Sequence, residues 1–443
     1  MLFKWPRHRV TYFFMSDTKP TKELNFSDLG VNSRILGILK GLDISIPTPI
    51  QKKSIPVALT GQDLIGVAQT GTGKTLAFGI PLLEQLAKSS GKGLILLPTR
   101  ELATQVNDSL RQLSIALGLK MSTLIGGEAI GNQIFSLKRN PRIVIATPGR
   151  LIDHVKRKTV KLNDVSILIL DEADMMLDLG FAPQIEEIMG HLPRPRQTML
   201  FSATMPAAIV KLAAKHLATP VHIEVAPSGT TAELVDQEIY IVRREEKFQH
   251  LERILNQYQG SVLIFSRTKR GAADLTKNLL KAGFKALEIH SNLSFSRRRY
   301  ALSEFKSKHC RILVATDIAA RGIDVSGIEL VVNYNLPDNS EDYVHRIGRT
   351  ARAGKSGKAI SLATPDQLKE IRSIERLIKK NLTMTKFVEL EGPAKHSHRP
   401  PTGGKRRAPY GHHKFAGHPG ANRFRGPKSG PNKRFSSQNR RSK

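Results

Sequence analysis

The chain has a single cysteine in 443 residues, Cys310. One thiol excludes an intrachain disulfide and a cysteine-based zinc site. Long hydrophobic runs are missing too, and nothing approaches the ~18 to 20 apolar residues of a membrane-spanning helix. Acidic residues are scarce: 38 Asp and Glu stand against 69 Lys and Arg, for a net charge of +31. A surplus of that size points to a polyanionic partner, nucleic acid foremost. What the chain does have is 40% hydrophobic residues. At this length that is enough to bury a full core unaided, and the prior is about three domains of roughly 150 residues.

The charge is unevenly spread. Residues 392–443 carry 14 Lys or Arg and no acid, among Gly, Pro, Ser, Asn and His. Such a segment buries too little apolar surface to offset chain entropy and reads as a disordered basic tail. Phe415, Phe424 and Phe435 each adjoin a Lys or Arg, as base-stacking rings in a phosphate-binding arm would. A merely solubilising tail is the alternative. At the other end, MLFKWPRHRVTYFFM lacks the uninterrupted apolar core of a signal peptide.

Between the ends, short β-branched runs alternate with helical stretches. LIGVA (64–68), GLILLP (93–98), IVIAT (143–147), ILILD (167–171) and TMLFSAT (198–204) read as buried parallel strands. The series restarts with SVLIFS (261–266), KALEIH (285–290), RILVATD (311–317) and ELVVNYN (329–335). Alternating βα order predicts an α/β fold with two tandem doubly wound parallel sheets. The polar stretch VAPSGTTAELV (225–235) is the natural linker. The expected organisation is an unstructured extension (1–20), a first domain (21–226), a linker (227–233), a second domain (234–390) and the basic tail (391–443). Ligands of such sheets bind at the carboxyl ends of the strands, which directs attention to the loops there.

The first of these loops is AQTGTGKT, Ala68 to Thr75 (Ala68, Gln69, Thr70, Gly71, Thr72, Gly73, Lys74, Thr75), between a strand and a helix. Its backbone N–H groups and the helix N-terminus form an anion cradle, with Lys74 reaching the β/γ-phosphates and Thr75 on Mg²⁺. The second is Asp171-Glu172-Ala173-Asp174. One carboxylate there can hold the metal and its neighbour can orient and deprotonate an attacking water. An acidic helix start explains one acid well, but not this cluster in the same domain as a phosphate loop. In HRIGRTARAG (345–354), Arg349 and Arg352 lie three apart with Arg346 nearby. Two such guanidiniums could neutralise charge on a γ-phosphate from across a cleft; a solvated basic face is the plainer alternative.

With these residues in place the sequence resembles the DEAD-box ATP-dependent RNA helicases over roughly residues 24–375. IPTPIQ (46–51), AQTGTGKT, PTRELA (98–103), Gly126-Gly127, TPGR (147–150), DEAD and SAT (202–204) follow in family order. LIFSRT (263–268), ATDIAARGID (315–324) and HRIGRTARAG complete the set. The compact core and short basic tail look most similar to bacterial RhlE-type members. The resemblance implies two RecA-like domains and an RNA-stimulated ATPase that unwinds short duplexes or remodels RNA–protein complexes, with ATP and Mg²⁺ as cofactors. An RNA clamp or annealing factor with little unwinding is the rival reading.

By the same resemblance, Gln51 reads adenine with Thr48 supporting it and Phe26 upstream. Lys74 and Thr75 hold phosphates and metal, Asp171 the metal through water, and Glu172 the attacking water. Ser202 and Thr204 couple Asp174 to domain closure, Arg349 and Arg352 act as arginine fingers, and Gly322 and Asp324 face the nucleotide. Arg100, Gly127, Thr147 and Arg150 grip the RNA backbone from the first domain, and Arg298 and Thr316 from the second. Backbone contacts carry no base sequence, so the RNA partner, single-stranded or short duplex, is bound largely irrespective of sequence. Three positions depart from the family: Leu42 for an adenine-packing aromatic, Phe295 for the glutamine of Q-x-x-R, and Ala351 for a glycine. Ribosomal precursors and the RNA-decay machinery both suit this family as partners, as does cold adaptation, and no residue chooses among them. The expected location is the cytoplasm.

Overall fold

The computed structural model describes residues 24–225, 235–320, 327–350 and 357–385. The expected extension, linker and tail lie outside these residues. Among them the chain builds two parallel sheets of seven strands each. The first comprises β1 (Leu64–Val67), β2 (Lys92–Leu96), β3 (Met121–Leu124), β4 (Ile143–Ala146), β5 (Val165–Leu170), β6 (Gln197–Ser202) and β7 (Val221–Glu224). The second comprises β8 (Val235–Ile241), β9 (Val262–Phe265), β10 (Ala286–Ile289), β11 (Ile312–Ala315), β12 (Leu330–Asn333), β13 (Gly357–Ala363) and β14 (Thr383–Thr385).

Strands buried along their whole length explain the parallel arrangement. In β1, β4, β9, β11 and β12 all four residues are buried, as a sheet covered by helices on both faces requires. Successive residues point to opposite faces. Ile95 and Ile169 accordingly join one apolar cluster, while their neighbours Leu94 and Leu168 join another. The second sheet repeats this, with Leu263 and Leu313 on one side and Val262 and Ile312 on the other. The doubly wound α/β expectation therefore holds in both sheets.

Because the strands are parallel, their carboxyl ends share one edge of each sheet. The order β3-β4-β2-β5-β6-β1-β7 divides that edge of the first sheet in two. The ends of β5, β6 and β1 lie together and carry the acidic, SAT and phosphate loops. The ends of β3, β4 and β2 lie together and carry Gly127, Arg150 and Arg100. In the second sheet, order β10-β11-β9-β12-β13-β8-β14 sets the loops after β10 and β11, with Arg298 and Thr316, side by side. Among the described residues no helix is long and apolar enough to cross a membrane.

Candidate active site and RNA-facing edge

The phosphate loop adopts its shape because two glycines take backbone angles closed to most residues. Gly71 has φ +84° and Gly73 φ +90°, a region that Cβ-bearing residues rarely occupy. A Cβ on Gly73 would also collide with the Gln51 amide. Gly73 caps the helix Lys74–Lys88 with no side-chain acceptor, so the first N–H groups stay available to an anion. Gln51 is 3% exposed. Its Oε1 accepts from the Thr48 N–H at 2.9 Å, and its Nε2 donates to the Gly73 carbonyl at 3.0 Å. It thus ties the IPTPIQ segment to the phosphate loop.

The acidic loop faces this cradle. Glu172 has φ +51°, a strained conformation for a non-glycine residue that points to a functional constraint. Its Oε1 lies 2.9 Å from Lys74 Nζ. This ion pair engages one corner of the ammonium, whose remaining N–H donors are buried and unused. Burial would lower the pKa of Lys74, but Glu172, Asp171 and Asp174 outweigh it and hold the side chain charged. Asp171 is pushed up to about 7, first by burial and then by Glu172 and Asp174, against the pull of Lys74. Crowded carboxylates beside an under-bonded lysine are a site short of cations and short of phosphate oxygens. Among the described residues no three acidic, His or Cys side chains form a ready metal cage. The residues suit Mg²⁺ arriving with a nucleotide, because this ion is normally held by one or two protein groups plus phosphates.

Asp174 connects the acidic loop to SAT. Its Oδ2 accepts from the Thr204 N–H at 2.9 Å, the Thr204 hydroxyl at 2.9 Å and the Ala203 N–H at 3.1 Å. Ser202 Oγ accepts from the Asp174 N–H at 3.3 Å and donates to the Thr204 carbonyl at 2.8 Å. Burial would raise the pKa of Asp174, yet Lys74, the Thr204 hydroxyl and His345 together draw it below the usual carboxylate range. His345 belongs to the helix Ser340–Ile347, between β12 and β13 of the second sheet. Arg349, two residues past the end of that helix and 3% exposed, reaches a cavity of about 460 Å³ lined also by Gly71, Gly73, Lys74, Thr75, Asp171 and Glu172. Arg349 also borders a neighbouring cavity of about 330 Å³ with Gln69, Thr70 and Thr204.

The other residues named from sequence divide clearly. Arg346 is 1% exposed. It pairs with Asp317 (Nη2 to Oδ2, 2.8 Å) and donates to the Asn335 carbonyl at 2.6 Å. It pins the ends of β11 and β12 and does not face the cradle. Phe26 is in the hydrophobic core at 2% exposure and does not line the larger cavity. Ala68 is likewise buried, and Thr72 Oγ1 donates back to the Gln69 carbonyl at 2.7 Å. Leu42 lines the cavity as expected, but so does Ile44, which sequence reasoning missed. Gly322, Asp324, Ala351 and Arg352 lie outside the described residues.

At the other half of the edge, three guanidiniums converge. Arg100 begins the helix Arg100–Ala116 and packs against Gly126 and Gly127, where any Cβ would meet its guanidinium. Its pKa is lowered first by burial and then by Arg298, with Arg150 adding to the effect. Arg298 Nη2 pairs with Glu101 Oε1 at 2.9 Å. Thr147 caps the helix Pro148–Lys156 that carries Arg150, and Thr316 is nearly buried after β11. Mutually repelling arginines aimed at one place are relieved by an anionic strand.

Gln133 and His154, absent from the sequence reading, hold Arg150 in place. Gln133 Oε1 accepts from Arg150 Nη1 at 3.0 Å and lies 3.0 Å from His154 Nε2. Burial, then Arg150, lowers the His154 pKa, so the neutral ring donates through Nε2. Replacing Gln133 with Leu should free Arg150 and raise the RNA concentration for half-maximal ATPase stimulation about three- to tenfold, while leaving RNA-free hydrolysis unchanged. An RNA titration of ATPase rate checks this.

The comparisons with known proteins agree with this geometry. The DEAD/DEAH box helicase family model matches residues 48–212, and the Helicase conserved C-terminal domain model matches residues 246–354. The chain is 44% identical over 360 residues to the ATP-dependent RNA helicase CshA of Listeria monocytogenes, covering 81% of this chain and 69% of that protein. It is 42% identical over 371 residues to the DEAD-box ATP-dependent RNA helicase CshA of Bacillus subtilis, covering 83% and 75%. Neither carries the RhlE name that the short tail suggested. Among solved structures, S. cerevisiae Dbp5 bound to RNA and ADP BeF3 aligns with a TM-score of 0.74 at 28% identity, over 82% of this chain and 95% of that one. Mss116p bound to single-stranded RNA and AMP-PNP aligns at 0.78 and 28%, over 86% and 82%. Two family models matched in tandem, and named helicases matched along most of their length, place this chain in the DEAD-box helicase family.

Proposed function

We propose that the chain is an ATP-dependent RNA helicase. It couples RNA-stimulated ATP hydrolysis to local unwinding of short RNA duplexes or to remodelling of RNA–protein complexes. The observation that carries this reading is Arg349 of the second domain lining the same cavity as Lys74, Asp171 and Glu172 of the first. ATP completes that cavity, with its phosphates on Lys74 and the loop N–H groups. Thr75 and Asp171 would hold Mg²⁺, which supplies charge neutralisation on the phosphates when bound. Glu172 orients and deprotonates the attacking water, and Arg349 meets the charge developing on the γ-phosphate. Arg100, Arg150 and Arg298 draw one RNA strand across both domains. If ATP and RNA both favour the closed arrangement, each must tighten the other.

A pure RNA clamp has no need of a strained Glu172 or of an arginine brought to the phosphates. The relatives named as ATP-dependent RNA helicases support the catalytic reading, and the aligned structures bound to RNA with nucleotide analogues support the two-ligand geometry. The domain limits 21–226 and 234–390, the tail 391–443 as an RNA arm, and a cytoplasmic location belong to the same proposal. Steady-state ATP hydrolysis by the full chain, alone and with single-stranded RNA or matched DNA, tests it. Strong stimulation by RNA but not DNA is expected, and RNA binding without stimulation would favour the clamp. Deleting residues 392–443 should weaken RNA binding and flatten its dependence on salt, because each lost phosphate contact removes counterion release. An unchanged salt slope would show that the tail is not an RNA arm.

A further inference from the structure

Phe295 stands where the family has glutamine, and its surroundings give that exchange a purpose. It opens the helix Phe295–Lys306 of the second domain. Its ring is nevertheless 8% exposed and joins the apolar cluster of the first domain, together with Leu102 and Ile125. It is not part of either cluster of its own sheet. A side-chain carbon on Gly127 would lie 3.3 Å from Phe295 Cβ and would also run into the Arg100 guanidinium. One turn further along the same helix, Arg298 makes its 2.9 Å ion pair with Glu101, the two side chains 14% and 11% exposed. Residues three apart share a helix face, so one face of this helix meets the first domain with an apolar contact and a charged one.

We propose that Phe295 is a positioning residue that seats the second domain on the Gly126–Gly127 turn, so that Arg100 and Arg298 are brought together before RNA arrives. Glutamine at this position would form the interface only by giving up hydration, with no apolar gain on closing. A phenylalanine gains from burial itself. Closure then depends less on the ligands, and the protein has a larger closed population and a higher RNA-free ATPase rate than it would have with glutamine. Since ligand and closure are linked, the same contact also strengthens RNA binding.

The test compares Phe295→Gln and Phe295→Leu with the parent chain. The ring is not part of its own domain's core, so neither change threatens folding of the second domain. Ligand-free small-angle X-ray scattering should show the Gln variant more extended than the parent and the Leu variant close to the parent. Without RNA, the Gln variant should hydrolyse ATP about tenfold more slowly, and its RNA half-saturation should rise by a similar factor. At saturating RNA and ATP its rate should stay within about twofold of the parent. Identical scattering for parent and Gln variant would overturn the proposal, as would equal loss of the RNA-free and RNA-saturated rates. The kinetic readouts rest on the ATPase reading. Scattering does not, so a protein without ATPase activity would sink that reading and still leave Phe295 to be judged.

Discussion

Glu172→Gln should leave ATP and RNA binding within a few-fold of the parent and reduce turnover at least about a hundredfold, the usual loss on removing a positioned general base. The amide keeps the size of the side chain, and the cradle does not depend on its charge. Gly71 and Gly73 set the loop, and Gln51 ties it to the IPTPIQ segment. Glutamine cannot accept the proton of water, however, and no other group stands in the same position. Asp171 is committed to the metal in the proposed site, and Asp174 Oδ2 already accepts from Thr204 and Ala203. Losing the ion contact at Lys74 frees the ammonium for phosphate, so nucleotide affinity should hold or rise. Single-turnover hydrolysis beside equilibrium binding of a fluorescent ATP analogue separates the two effects. Substantial residual hydrolysis would remove Glu172 from the base role.

Much of this site was legible in the sequence for a reason that lies in the sheets. A parallel strand buried on both faces must be a continuous apolar run, so β1, β2, β4, β5, β6, β9, β11 and β12 announced themselves, and the half-buried run of β10 was read with them. The residues immediately after them lie at the edge where ligands bind. What escaped notice had no such run. The strands β3 and β14 lie at sheet edges, and β7 closes the first sheet opposite β3. MSTL, VHIE and TMT are short and partly polar, because an edge strand is covered less completely. The long strand β8 alternates buried and more exposed positions, and β13 begins with Gly-Lys before its buried stretch.

The missed side chains have a different cause. Gln133 and His154 are ordinary helix residues in the sequence, and only the folded chain brings them behind Arg150. Counting forward to the IPTPIQ segment selected Leu42, but the turn at Asp43, with φ +56°, puts Ile44 on the same cavity. In HRIGR the resemblance singled out Arg349 and gave Arg346 no role. Burial against Asp317 makes Arg346 a structural pin, whereas Arg349 reaches the phosphate cavity. The exchange at Phe295 could be read from the motif; that its ring belongs to the other domain's core could not.

That separation of the two arginines sets up the second large effect. Replacing Arg349 with Ala should lower the RNA-stimulated turnover number by about a thousandfold, the lower end of what an arginine finger contributes to phosphoryl transfer. ATP affinity should change little, because the phosphate cradle is complete within the first domain. Arg349 is nearly buried and its Nε donates to the His345 carbonyl at 3.1 Å, so the alanine variant also loses packing. Arg349→Lys controls for this: it keeps the charge and much of the stem but lacks the planar fork that can engage two phosphate oxygens. Lysine should therefore fold as the parent does and still lose most of the rate. Thermal melts and ATP binding of both variants, read beside turnover at saturating RNA, distinguish the cases. Full activity in the lysine variant would reduce the role of Arg349 to charge alone. Full activity in the alanine variant would mean that the charge developing on the γ-phosphate is met from within the first domain, and that the second domain contributes to RNA binding only.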